Sequence, residues 1–459
     1  MSIFQTLKGI VMRLLNLGDA RALGCDMTSL MEKAVQEWDD LFYLTNQPPH
    51  SLKLAQTITG YMATLATSEL TLSAGSGARA DWIQQQTQQN LLPCLYEAAQ
   101  LAGVGGMVAV KPYVVGSSLY AEVIPRYRIF PERWGPNRRL DAGCFTDFDH
   151  LEDGTSAVRV EHFEMTAEGL HITNRAFRRQ TGGMLGEEIS LEKVARWQQL
   201  TPELTVNDVD RPHFGLLRMP MLNTVDGSAY PVSLYANAVD TIRQLDAAYG
   251  DFVWERETGR RRMIIDRMAA MKDPVNGKPA IPFKELASDF LMTLDMPDEK
   301  PWGDYTPSLR FEEYRNGIET LLRLLEMQVG FSAGTFAIDP KTGRVTATQI
   351  ISEDRTTYNT IKAIQDRGLT TGLLDVLYWF DVYASLYGLA PSGSFEPAVS
   401  FGDSIFEDTG VEFQRRLSLA QANYLRPEQL LAWYFGVDEE KARQMMPLSN
   451  PDVLTFGNR

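Results

Sequence analysis

The spacing of apolar positions changes period twice along the chain, and those changes divide it. Ser29 and Glu32 form a capping-box pattern that predicts a helix to about Thr45, ended by Pro48-Pro49. A second helix is expected over residues 51–70. After the small-residue loop Ser73-Ala74-Gly75-Ser76-Gly77, a third is expected over residues 80–102. The period then shortens to two. Residues 107–115, 119–124, 157–164 and 170–178 are rich in Val, Ile, Phe and Tyr and read as strands. Helices first and antiparallel strands after them make this an α+β block.

From Pro231, placed as a first helical residue, the helical period returns. Tyr235, Val239, Ile242, Leu245, Tyr249 and Phe252 form one stripe up to about Glu257, and Gly259 ends it. A second amphipathic helix is predicted over residues 312–329, striped by Tyr314, Ile318, Leu321, Leu322, Leu325 and Val329. Its wet face carries Arg315–Glu319 and Glu319–Arg323 pairs. Ile242, Tyr249, Leu321 and Leu325 are therefore expected to pack between the two helices. Between them, residues 260–306 are Pro-rich, with a strand-like Met263-Ile264-Ile265. A glycine-punctuated loop follows, then a long helix over residues 346–386 with a bend at Gly368–Gly372. The strand-like Ala398-Val399-Ser400-Phe401 precedes three short helices at 410–424, 427–435 and 438–446.

Composition narrows the function classes. The 459 residues are 44% hydrophobic and 22% charged, which are globular values. Forty-four Lys and Arg stand against 59 Asp and Glu, a net charge of -15, which argues against coating DNA through a basic surface. Cys25, Cys94 and Cys144 form no short-spaced pair, so plain thiols in a reduced compartment are expected, with no metal and no cofactor. The N-terminal stretch carries no signal-peptide pattern. The most apolar run, residues 373–390, contains Asp375 and Asp381, and no membrane span is expected.

Several short motifs fail on context. Gly330-Phe331-Ser332-Ala333-Gly334 matches a hydrolase nucleophile elbow, but a helix precedes it and all five histidines lie upstream of Ser332. Gly103-Val104-Gly105-Gly106 follows a helix and opens a strand, the reverse of a dinucleotide fingerprint, and reads as a tight turn. His162 and His171 sit on predicted strands without a matching Cys or His pair, so they read as satisfied histidines rather than ligands. Arg260-Arg261-Arg262 is the dense basic cluster, read as a solvated turn with local ion pairs.

Three stretches together resemble the portal proteins of tailed bacteriophages, of the long-tailed phage and prophage type. The first runs from Tyr96 through Gly106 into Val108-Ala109-Val110-Lys111, Glu122-Val123-Ile124-Pro125 and Phe130-Pro131. The second runs from Leu309 through Gly330 to Gly334-Thr335-Phe336 and Thr346-Ala347-Thr348-Gln349-Ile350-Ile351-Ser352-Glu353. The third is Phe401-Gly402-Asp403-Ser404-Ile405-Phe406-Glu407-Asp408, with Asp438 to Ala442 beyond it. The resemblance covers most of residues 28–447. It departs at Leu425-Arg426-Pro427, where the usual helix cap is absent, and the last region is short.

The resemblance implies a wing (1–230), a stem helix (231–259), a clip (260–306) and a second stem helix (307–331). A tunnel loop (332–345), a bent wing helix with a return strand (346–407) and a crown (408–459) complete the plan. It further implies a subunit without chemistry of its own, assembled as a ring, a dodecamer, at one capsid vertex. Such a ring serves DNA packaging and ejection, in the virion and, during assembly, in the host cytoplasm. The implied partners are the terminase large subunit, the head–tail connector or adaptor protein, the major capsid or scaffold protein, and double-stranded DNA passing through non-specifically. On this plan Asp289, Asp295, Asp298 and Glu299 of the clip face the motor and connector, and Lys341 and Arg344 of the loop face DNA. Two other readings stay open: an intracellular enzyme built on the N-terminal helices and sheet, and a different structural or scaffold protein of the capsid.

Overall fold

The computed structural model describes residues 28–45, 48–179, 185–266, 291–294, 302–337, 355–402, 409–435 and 437–446. Its fold is α+β.

Helix α1 (Ser29–Tyr43) buries Met31, Val35, Trp38 and Leu41 on one stripe. Its cap is Thr28, one residue before the expected Ser29. The Thr28 hydroxyl accepts from the Met31 amide at 3.2 Å and donates to Asp226 at 2.8 Å. Helix α2 (Leu54–Thr67) is shorter at both ends than its apolar pattern suggests. At the start, the Ser51 hydroxyl and Leu52 amide donate to the two oxygens of Asp246, which holds that stretch out of the helix. At the end, strand β1 (Leu70–Ser73) breaks away to pair antiparallel with residues 398–401, far along the chain.

The expected third helix is two, α3 (Ala78–Gln86) and α4 (Leu92–Gly105), joined by a π-turn over Thr87–Leu91. Pro93 lies in the first turn of α4. It offers no N–H, and its ring crowds the carbonyl four residues back, so a regular ladder cannot run through it. Helix α4 ends on Gly106, at φ 82°.

Strand β2 (Met107–Val115) forms a hairpin with β3 (Ser118–Pro125), Val115 facing Ser118. A larger sheet follows in meander order from β4 (Ile129–Trp134), β5 (Leu140–His150), β6 (Ser156–Met165) and β7 (Gly169–Arg179). The outer edge of β7 is shared by β8 (Leu185–Ile189) and β9 (Glu203–Asn207). Strand β10 (Gly215–Arg218) returns to pair with the free side of β2.

Pro231 does not begin a helix. Residues 231–235 cross the C-terminal end of α4 instead: the Leu234 amide and Ser233 hydroxyl donate to the Gly103 carbonyl at 2.9 and 3.0 Å. A backbone amide bonded there is unavailable to an intrahelical ladder. A Cβ on Gly106 would stand 2.5 Å from the Pro231 carbonyl oxygen, so only glycine allows this crossing. Tyr235 is fully buried and donates its hydroxyl to the Trp38 carbonyl at 2.8 Å. Helix α5 (Val239–Thr258) begins only after that anchor.

A small sheet separates α5 from α6 (Phe311–Val329). Its central β11 (Arg262–Asp266) pairs parallel with β12 (Leu291–Leu294) and antiparallel with β13 (Trp302–Tyr305). Beyond residue 355 come α7 (Arg355–Ile364) and α8 (Thr370–Leu386), joined by a π-turn over Gln365–Leu369 that sits at the expected bend. Helix α8 lies directly on β10. A Cβ on Gly215 would fall 1.9 Å from the Gly372 carbonyl oxygen, and one on Gly372 2.5 Å from that of Leu216. Two glycines thus set the approach of helix to sheet. Strand β14 (Ala398–Phe401) closes the ladder with β1, and α9 (Thr409–Gln421), α10 (Pro427–Phe435) and α11 (Glu439–Met445) follow.

One large core joins Trp38, Ile58, Leu95 and Val110 to Leu245, Leu325, Val329 and Phe380. A second, aromatic core of Phe145, Phe163, Phe214 and Trp379 lies where β5 and β6 meet β10 and α8.

Candidate functional site

The feature that stands out from this body is the helix pair with its inserted sheet. Helices α5 and α6 run antiparallel. Phe252 meets Phe311 and Tyr314 at ring-centroid distances of 5.6 and 6.0 Å. At the far end of the pair, Arg310 grips Glu255 three ways: Nη2 to Oε2 at 2.6 Å, Nε to Oε2 at 3.1 Å, and its own amide to Oε1 at 2.9 Å. Those bonds hold the Glu255 carboxyl down to about 2. Next to it, Arg261 makes a two-armed pair with Asp304, its Nη2 donating to Oδ2 at 2.8 Å. The basic cluster is thus tied locally at this position.

Where the pair meets the body there is an apolar groove of about 320 Å³, lined by Leu52, Tyr249, Phe252, Tyr314, Ile318 and Phe336 among others. Several large apolar side chains of the pair reach solvent. Trp254 is 65% exposed, Phe311 53% and Met327 70%, with Leu309 and Leu324 also exposed.

The turn after α6 is tightly held. Gly330, at φ 77°, ends the helix, and the Phe331 amide closes back on the Glu326 carbonyl at 2.8 Å. The Glu326 side chain is buried and accepts the Gly334 and Phe336 amides at 2.7 and 2.6 Å. Phe331, Phe336 and Tyr61 pack edge-on and tilted against one another in this segment. Ser332 is locked to Thr357: its amide donates to the Thr357 hydroxyl at 2.8 Å, and its own hydroxyl accepts the Thr357 amide at 3.2 Å. A seryl oxygen bonded to a threonine, after a helix rather than a strand, is not the geometry of a nucleophile elbow.

Among the titratable clusters of the described sheet residues, two combine histidine with a buried carboxylate. In the first, Lys111, Arg159 and His213 surround Glu161, whose Oε1 meets His213 Nε2 at 2.6 Å and whose Oε2 accepts from Arg159 at 2.9 Å. Burial alone would raise the Glu161 carboxyl. Attraction to Lys111 and the bonds from His213 and Arg159 outweigh that and hold it well below the usual range. Burial, then repulsion from Lys111, pushes His213 down. The second cluster is Glu132, Cys144 and His162, on three adjacent strands. The sequence placed no thiol near His162. The β5–β6 register puts Cys144 directly opposite it.

Of the residues singled out from sequence, Ile242 and Leu325 are fully buried between the helices, Leu321 is half-buried, and Tyr249 lines the groove. Asp289, Asp295, Asp298, Glu299, Lys341 and Arg344 lie outside the described residues. No described helix is long and apolar enough to cross a membrane.

No protein-family model and no curated protein matches this chain. Solved structures similar to it include the virion of a native gene transfer agent particle, at 9% identity and a TM-score of 0.47, covering 88% of this chain and 93% of that one. The neck of the native particle, computed with C12 symmetry, is similar at 9% identity and a TM-score of 0.44, covering 88% of this chain and 94% of that one. The neck of the empty particle, computed with C6 symmetry, gives 10% identity, a TM-score of 0.47 and the same coverages. At such identities and scores the likenesses carry no assignment of activity or partner to this chain.

Proposed function

We propose that this chain is the subunit of a portal-type ring, a channel component of a phage-like particle with no chemistry of its own. The observation that carries the reading is the two-helix arm. Helices α5 and α6 bracket a small inserted sheet, stay anchored in the core at their base, and expose Trp254, Leu309, Phe311, Leu324 and Met327 along their length. Side chains of this size left in water by an isolated chain can be covered by a different face of a neighbour's arm, and repetition of one such heterologous contact forms a ring where its rotation closes.

On this reading α5 and α6 are the stem and residues 260–306 the clip. The clip's Asp289, Asp295, Asp298 and Glu299 would then meet the packaging motor and the head–tail connector. The loop over residues 332–345 would face the channel and bring Lys341 and Arg344 toward DNA. A net charge of -15 on each chain suits a channel that guides a polyanion without gripping it. The decisive measurement is the mass of the purified full chain in solution, by light scattering and native mass spectrometry. A closed ring of roughly a dozen subunits is expected. A monomer or dimer at every concentration tested overturns the proposal and returns weight to an enzyme built on the N-terminal helices and sheet.

A further inference from the structure

We infer that Glu132, Cys144 and His162 form a binding site for a divalent transition-metal ion, with zinc the best match, that clamps the edge of the larger sheet. The three residues come from adjacent strands β4, β5 and β6. Cys144 and His162 are register partners, so their side chains leave the same face side by side. Glu132 shares their face: Phe130 is the register partner of Cys144, and Glu132 lies two residues further along β4. Pro131 faces Gly143 and Arg133 faces Ala142, so Glu132 stands at a bulge, out of the ladder.

The donor atoms are already gathered. Cys144 Sγ lies 3.6 Å from Glu132 Oε1, and His162 Nε2 lies 3.0 Å from Glu132 Oε2. One ligand atom from each residue falls within 4.8 Å of the others. Zinc bonds to nitrogen, oxygen and sulfur run about 2.0–2.3 Å, so tetrahedral donors stand about 3.3–3.8 Å apart. Binding would draw the thiol and the imidazole, within 4.8 Å of each other, to that spacing. Cys144 is fully buried and Glu132 nearly so, while the His162 side chain keeps 19% exposure. The imidazole edge is therefore the route by which an ion enters, and the side from which water supplies a fourth ligand.

The chemistry of the set narrows the ion. A thiolate, an imidazole and one carboxylate suit zinc and its borderline neighbours, whereas calcium and magnesium favour all-oxygen shells. Binding removes the thiol proton to solvent, one for each ion. The imidazole coordinates through Nε2 and carries its hydrogen on Nδ1. Strand β4 ends the sheet, so the ion would fasten an edge strand to the two strands inside it.

The test uses the full chain, stripped with a chelator and titrated with cobalt chloride. A single equivalent should bind, giving the visible absorption of four-coordinate cobalt and a sulfur-to-metal band in the near ultraviolet. Zinc chloride should bleach both and raise the melting temperature. Cys144→Ser, close in size, should lose the sulfur band, and Cys94→Ser should keep it. His162→Gln, at the exposed edge, serves if the buried substitution unfolds the sheet, and it should lose zinc-dependent stabilisation. No cobalt absorption at large excess, or a sulfur band that survives in Cys144→Ser, overturns the site and leaves a hydrogen-bonded trio.

Discussion

Replacing Glu326 with Ala should loosen the turn that leads out of α6 while leaving the rest of the fold in place. The carboxylate is 1% exposed and takes two backbone amides, Gly334 at 2.7 Å and Phe336 at 2.6 Å. A hydrogen bond to a charged group is worth about 1.5–3 kcal/mol, so the two together set a ceiling of about 6 kcal/mol. Water entering the vacated space recovers part of that, and the Phe331–Phe336–Tyr61 cluster still restrains the segment. We expect a net loss of about 2–3 kcal/mol, confined to residues 331–337. Hydrogen exchange is the assay. At 1.4 kcal/mol for each tenfold, amide exchange at Gly334 and Phe336 should speed up roughly 30–150-fold. Glu326→Gln keeps the shape but points a donor at one of the amides, so it should give an intermediate acceleration. Unchanged protection at both amides in Glu326→Ala would show that the buried carboxylate does not hold the turn.

Leu325→Ala should cost about 2–5 kcal/mol in urea unfolding, since Leu325 is fully buried, and Leu321→Ala clearly less because Leu321 is half-buried; equal losses would refute the packing. Burial, opposed only in part by Arg126, raises the Asp39 carboxyl from 3.8 to about 6. The folded chain therefore holds that proton more tightly than the unfolded chain. The associated stability is present below 3.8 and is lost as pH rises through 6. Asp39→Asn should stabilise at neutral pH by up to about 3 kcal/mol, with the gain gone at the acid end of that window, and a pH-independent gain would contradict it. On the portal reading proposed above, replacing Lys341 and Arg344 together by Ala should shorten or destabilise retained DNA without preventing ring assembly; unchanged packaged length and retention would mean the loop makes no DNA contact.

Periodicity alone placed the helical stretches, though not all their ends, and most of the long strands. An apolar stripe at steps of three and four has one way to be buried, which is why α5 and α6 were legible from Ile242, Leu245, Ile318 and Leu325. Strands β2, β3, β6 and β7 were legible from their Val, Ile, Phe and Tyr content and partial alternation. The short β11 and β14 were legible too, but β4 and β5 were not: β4 carries Pro131 and a bulge, and β5 mixes Gly143, Asp147 and Asp149 into its run.

Tertiary structure settled whatever depended on a distant partner. Residues 231–235 carry a helix-start signal, yet the carbonyl of Gly103 takes the Leu234 amide, and the helix waits until Val239. Leu70 continues an apolar helix pattern, yet Phe401 offers a strand to pair with. In both places a non-local hydrogen bond competes with the local one, and a single sequence window holds only one of the two competitors. The same is true of chemistry. Cys144 and His162 are eighteen positions apart and unremarkable as a spacing, and only the β5–β6 register makes them neighbours, with Glu132 beside them on β4. Sequence spacing reports contacts along one element, and a site assembled across three strands is written in their pairing instead.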